Sequence, residues 1–239
     1  MGRTNQYGQA IGDDVPGWSP RPRPAPVTLP GRTVTLEPLG PEHADALYAA
    51  LCAPDDAWRW TYRPHEMPAS REESDALIDR MVADDSVVTF AIVPTDGVGG
   101  GLAQGHATLM RCDPAAGSVE VGGIIYGRAL ERTVAATEAQ VLLMRHVFDD
   151  LGYRRYEWKL DHHNALSAAA ARRLGFTYEG RFRNALVYKG RNRDTDWFAM
   201  TDVDFGRLRP AYDAWLDPTN FDEHGRQRSR LDTTVGVTG

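Results

Sequence analysis

Two arginines, Arg128 and Arg132, lie in the stretch Gly127 to Thr133, between a β-prone segment and an amphipathic one. A helix that starts directly after a strand leaves its first N–H groups unpaired and turns a positive dipole end outward. That arrangement suits a pyrophosphate, and guanidinium groups beside it can reach phosphate oxygens. A second group of candidates follows. Asp161, His162 and His163 invite a metal reading, but adjacent residues at a strand end point in different directions, and no metal is expected. Trp58, Trp60 and Tyr62 form an aromatic cluster that either packs on the core or lines a pocket for a small amine. Arg181, Arg183, Arg191 and Arg193 flank a polar turn, as solvated charge or as ligands for an acidic acceptor.

The elements that must position these groups are legible from periodicity. Thr33 to Pro38 alternates in polarity as a strand. Pro41 opens a helix with Leu47 and Leu51 on its apolar face. Ser70 and Glu73 make a capping box for a helix through about Val82. Val87–Val93 and Leu102–Met110 read as a hairpin around a turn at Asp96–Gly101. Ser118–Tyr126 is a strand whose Gly122 and Gly123 mark a bulge or a close backbone approach. A helix from Val134 to Asp150 ends at Gly152. Arg154–Asp161 is a strand, Ser167–Leu174 a short helix, Phe176–Val187 and Asp194–Val203 two more strands, and Phe205–Leu216 a last helix. The order implies mixed α/β or α+β architecture, a meander followed by crossover units. Residues 1–30, with six prolines from Pro16 to Pro30, read as an extended arm, with disorder the alternative for residues 1–15. The folded domain is expected over 31–205, and a helix with a polar tail over 206–239, loose beyond Arg226.

Composition narrows the class. The chain has 239 residues, 42% hydrophobic and 25% charged, with net charge −6. An acidic balance gives no global field for nucleic acid or an anionic membrane. No apolar run approaches the ~18 residues of a membrane span. Two cysteines, Cys52 and Cys112, are too few for a disulfide framework. A cytoplasmic protein is expected.

Six short motifs occur in order over roughly Gly31 to Phe205: Glu120–Gly122, Ala136–Ala139, Phe148–Arg155, Asn164–Ser167, Arg172–Gly180 and Arg191–Asp194. In these the sequence resembles the GNAT acetyltransferase superfamily, in particular its RimJ/RimL-like branch. The resemblance implies a splayed, mostly antiparallel sheet of about seven strands flanked by helices. It implies acetyl-CoA as cosubstrate in the splay, and a primary amine of a small molecule, less readily a protein N-terminus, as acceptor. Partners would be acetyl-CoA and that amine, with a homodimer left open. Ile124, Ile125 and Tyr126 would meet the pantetheine. Arg128, Arg132, Thr133, Val134, Ala135 and Thr137 would hold the pyrophosphate, with Asn164 and Ala171 on the pantetheine or adenosine side. Trp60, Tyr62 and Arg183 would face the acceptor. Glu120 is the base candidate, with a structural carboxylate as its alternative. Ser167 stands where the branch places a hydroxyl near sulfur, and it would also suit a helix start.

The chain departs from the family in the pyrophosphate loop, where Arg132 and Val134 replace glycines. Either the Arg132 side chain substitutes for backbone contacts, or cofactor binding is weakened. The second case motivates an alternative function, a non-catalytic CoA-binding or interaction module.

Overall fold

The computed structural model describes residues 3–97 and 99–234. Met1, Gly2, Val98 and 235–239 lie outside them, and with them one position of the expected Asp96–Gly101 turn and the ends of the arm and tail. A two-stranded hairpin, β1 (Arg3–Thr4) and β2 (Ala10–Ile11), precedes the main sheet. The sheet contains β3 (Leu29–Pro30), β4 (Val34–Pro38), β5 (Val88–Pro94), β6 (Gly105–Asp113), β7 (Ser118–Tyr126), β8 (Arg155–Asp161), β9 (Thr177–Tyr188) and β10 (Arg191–Thr201). Its order is β3-β4-β5-β6-β7-β8-β10-β9. Eight strands stand where about seven were expected. One source of the difference is β3, a two-residue strand too short to show a period. This is a mixed α+β architecture with a large, mostly antiparallel sheet.

Among the described residues, five α-helices flank it: α1 (Ala44–Leu51), α2 (Arg71–Val82), α3 (Val134–Arg145), α4 (Ala165–Arg173) and α5 (Asp202–Leu216). A π turn, His146–Asp150, extends α3. One face of the sheet packs α3, α4 and α5 around Phe90, Leu109, Val121, Tyr156, Trp158 and Phe198. The other packs α1 and α2 around Ala91, Val93, Ile125 and Trp60. Strand alternation sorts the residues: in β8, Tyr156, Trp158 and Leu160 enter the first core, so Arg155, Glu157, Lys159 and Asp161 face the opposite side.

The sheet is antiparallel except at one junction. β7 and β8 are parallel because α3 crosses between them. They pair only over Ser118–Val121 and Arg155–Trp158. Beyond that, residues 122–126 stay with β6 and residues 159–161 with β10. A register shift in the β6–β7 ladder and the left-handed Gly123, φ 61°, place a bulge where the strands part.

The termini are anchored. Trp18 Nε1 donates to Ala115 O, Arg21 N to Pro114 O and Tyr153 OH to Pro22 O. The tail folds back instead of trailing loose beyond Arg226. Trp215 Nε1 donates to Gln227 Oε1, Ser229 N donates to Asn220 Oδ1, and Leu231 packs on the main core. Polar composition concealed this, because side-chain hydrogen bonds between distant residues leave no local pattern.

Candidate active site

The opened edge between β7 and β8 is the cleft, and three structures meet at it: the start of α3, the start of α4 and the loop 54–66.

At α3, Thr133 is the N-cap. Its Oγ1 accepts from Ala136 N at 3.1 Å and donates to Leu130 O at 2.8 Å. Helix geometry then leaves the N–H groups of Val134 and Ala135 without intrahelical partners. Ala135 and Thr137 are buried, so an incoming ligand meets this turn through its backbone. Arg132 has φ 59°. That is the left-handed conformation glycine adopts freely and other residues adopt at a cost of about 1–2 kcal/mol. The loop therefore keeps a glycine-like backbone path without the glycine, and the Arg132 side chain is exposed. Arg128 is placed differently from expectation. Its Nε lies 3.3 Å from Asp56 Oδ1, and its Nη2 3.8 Å from Asp55 Oδ2, so it turns to loop acids and not to the helix start. Arg59 joins the same cluster through Asp56 at 2.9 Å, Glu131 and Tyr126 O at 3.1 Å.

The pantetheine candidates divide by direction. Ile125 is buried in the α1–α2 core. The Tyr126 hydroxyl accepts from Gln140 Nε2 at 2.6 Å, and burial pushes it up to about 12. With Ile124, these residues reach the cleft only through the backbone that β8 leaves unpaired.

At α4, Asn164 is the N-cap: Oδ1 accepts from Ser167 N at 3.1 Å, and its amide N–H groups remain available to donate. Ser167 Oγ accepts from Trp158 Nε1 at 2.9 Å. That bond uses a lone pair and leaves the hydroxyl hydrogen free. Ala171 is fully buried in the core, so its side chain meets no ligand. Arg173, absent from the sequence candidates, donates to Thr137 Oγ1 at 3.1 Å and brings a second guanidinium to α3.

Glu120 is 3% exposed. Its Oε1 accepts from Arg111 Nη1 at 2.7 Å, and its Oε2 lies 2.8 Å from Lys159 Nζ. Lys159 also pairs with Glu157 at 2.7 Å and lies 3.7 Å from the Trp197 ring centroid. Both oxygens of the base candidate are thus held by cations, the geometry of a structural carboxylate. Sequence reasoning missed Lys159 and Arg111. The alternation of β8 carried a signal for Lys159, whereas Arg111 depends on a left-handed bulge, φ 49°, that its sequence does not announce.

The aromatic cluster splits. Trp60 is 2% exposed, with Nε1 donating to Leu51 O at 3.0 Å, and belongs to the core. Tyr62 donates its hydroxyl to His163 O at 3.0 Å and ties the loop to the start of α4. Trp58 is exposed beneath Arg59. Arg183 is exposed on β9, away from these contacts. His162 and His163 do not diverge as strand neighbours would. They lie in the turn after β8 with ring centroids 3.5 Å apart. Their ligand atoms and that of Asp161 come within 4.8 Å of one another. Asp161 already accepts from His163 N at 2.9 Å and Tyr188 OH at 2.8 Å, which accounts for the cluster by hydrogen bonding.

The fold and the cleft have known counterparts. Residues 33–177 match the family model "Acetyltransferase (GNAT) domain", and the chain belongs to that family. It is similar to the crystal structure of a GCN5-related N-acetyltransferase from Brucella melitensis: 44% identity over 91% of this chain and 97% of that one, TM-score 0.87. A probable GNAT-family acetyltransferase from Chromobacterium violaceum is 33% identical over 83% of this chain and 98% of its own, TM-score 0.75. A Salmonella typhimurium acetyl transferase described as modifying the N-terminal serine of ribosomal protein L7/L12 shares the fold: 20% identity over 73% of this chain and 99% of its own, TM-score 0.62. No curated protein matches the chain. No helix among the described residues is long and apolar enough to cross a membrane.

Proposed function

We propose that this chain transfers an acetyl group from acetyl-CoA to the α-amino group of a small molecule. The observation that carries this reading is the parted β7–β8 edge, with a serine hydroxyl hydrogen left free beside it. Acetyl-CoA supplies the activated thioester. The edge of β7 that β8 leaves at residues 122–126 offers backbone groups to its amide arm, apart from Tyr126 O, which Arg59 already occupies, and the N–H groups of Val134 and Ala135 with the Arg132 side chain suit its pyrophosphate. In this reading the amine nitrogen attacks the thioester carbon and the C–S bond breaks; Ser167 gives its proton to the departing sulfur and regains one from the attacking nitrogen through water, while Asn164 donates to the arm.

The acceptor must present a neutral amine. The acidic groups near the cleft are already engaged: Glu120 is held by Arg111 and Lys159, Glu157 by Lys159 and Arg155, and Asp161 by Tyr188 and His163. Burial pushes the His106 imidazole down to about 3. An α-amine, with an ordinary pKa of about 7.7–8.0, is substantially neutral near pH 8 unaided, whereas a lysine amine at about 10.4 is not. A small molecule is favoured over a protein N-terminus because the loop is tied down on both sides. Tyr62 bonds to the start of α4, while Lys189 Nζ donates to Trp60 O at 2.7 Å and Arg191 to Thr61 O at 3.1 Å. A protein N-terminus, as modified by the Salmonella protein, is the second reading.

Calorimetric titration with acetyl-CoA, then thiol release with α-amines and matched lysine-type amines, tests this. Saturable binding and turnover restricted to α-amines are expected. Binding without turnover on any amine would favour the non-catalytic module instead.

A further inference from the structure

Arg63 is a half-buried cation with which no described carboxylate forms an ion pair. Its Nε is sealed from solvent and has no hydrogen-bond partner. It forms no ion pair with any described carboxylate, whereas Arg59 in the same loop has two. A guanidinium does not escape this by losing its proton: burial pushes it down only to about 10. A sealed N–H donor without an acceptor costs its full desolvation, and the terminal nitrogens of the same guanidinium are left open to an incoming anion.

Its position is fixed and specific. Arg63 N donates to Trp60 O at 3.0 Å, so a tight turn on the core tryptophan directs the residue inward. Tyr62, Lys189 and Arg191 pin the loop from outside. A Cβ built on Gly123 would lie 3.7 Å from Arg63 Nη1. Gly123 is the bulge residue two positions past Val121, the last residue of β7 paired with β8. Arg63 therefore stands at the vertex of the cleft, while the phosphate-binding helix start lies beyond Tyr126, at the open end. Its other neighbours add no negative charge. His106 is buried and neutral, and the charge of Arg63 contributes to that after burial itself.

We propose that Arg63 is an anion-binding residue of the acceptor end, and that a substrate brings a carboxylate to it. The planar fork of a guanidinium matches a carboxylate in two parallel hydrogen bonds. The carboxylate has two sources: the amine acceptor, as in an amino acid, or the far end of a dicarboxylic acyl group on CoA. This inference rests on the transferase reading for its substrates, but the anion site itself is testable without turnover.

The binding arm measures the melting temperature of the full chain with succinate, against succinamide and chloride at matched ionic strength. Succinate should raise it in the wild type and not in Arg63→Met, with Arg63→Lys intermediate. An equal response of the wild type and Arg63→Met overturns the site, whatever the activity. The kinetic arms compare glycine-type acceptors with their amides using acetyl-CoA, and succinyl-CoA with acetyl-CoA on a neutral amine. One pair should show a preference of roughly tenfold to hundredfold in kcat/KM for the carboxylate member. That ratio should collapse in Arg63→Met. A preference in the first pair assigns the carboxylate to the acceptor, and in the second to the acyl group. Turnover without preference in either pair overturns the proposal. A melting shift with no turnover on any pair keeps the anion site and removes the transferase reading.

Discussion

The two ends of the cleft are built by different means. The end proposed for the phosphates depends on backbone: a capped helix start, two unpaired N–H groups and a left-handed turn at Arg132. The end proposed for the acceptor depends on side chains held by distant parts of the chain, with Tyr62 fastened to His163, Lys189 to the loop at Trp60, and Arg63 half-buried beside Gly123. A backbone site survives the loss of its usual residue if another can adopt the same dihedral angles at tolerable strain. A side-chain site has no such tolerance, because position and chemistry reside in the same atoms. That difference explains how Arg132 can stand in a left-handed turn where a glycine would be unstrained.

Four changes would break or sharpen the contrast. The largest concerns the hydroxyl between the ends. Ser167→Ala removes the proton donor and should lower kcat by about a hundredfold, with acetyl-CoA affinity by calorimetry nearly unchanged. Equal losses in both would make Ser167 a binding group.

The next is a pH effect at the acceptor end. His106 titrates at about 3 in the folded chain, from an ordinary value of 6.5, because burial and then Arg63 oppose its charge. Between those values the unfolded chain binds a proton that the folded chain refuses. This contribution is therefore intact above pH 6.5 and is lost as pH falls toward 3. At its steepest the slope is about 1.4 kcal/mol per pH unit. Urea melts at stepped pH should show a shallower acid decline for His106→Gln than for the wild type; identical declines would exclude His106 as the cause.

Arg132 separates backbone from side chain at the phosphate end. Both Arg132→Ala and Arg132→Gly should weaken acetyl-CoA about tenfold through loss of a charge-assisted contact. The glycine variant should be the more stable of the two by about 1 kcal/mol, since it alone adopts the left-handed turn without strain. Unchanged affinity in both would leave phosphate binding to the helix start and Arg173. The smallest effect is Thr133→Ala, which removes the cap and should cost about 1 kcal/mol of stability in denaturant melts. A neutral result would mean Leu130 and the loop turns hold the helix start alone.

The elements around the cleft were largely readable in advance. Periodicity placed α3 behind Ser118–Tyr126 and a short helix after β8, because hydrophobic faces are local, though that helix starts at Ala165 with Asn164 as its cap and not at Ser167. Arg128 was readable only as a cation. Its choice of Asp56 over the helix start depends on a loop more than sixty positions away in the chain. Trp60 looked like pocket lining because composition does not say which face of an aromatic loop turns inward, and it turns into the core. The two histidines read as strand neighbours because the end of β8 differs by only a residue or two from a turn.

The sequence by itself determined the family and the order of the main elements, since each rests on patterns spanning a few positions; it began the short helix at Ser167 and the last at Phe205, two and three residues inside the observed starts at Ala165 and Asp202. Only the tertiary structure decided which charges are paired. Glu120 is held by Arg111 and Lys159, and Arg63 has no carboxylate partner among the described residues. Pairing depends on distance through space in a medium of low dielectric, which a linear sequence does not encode.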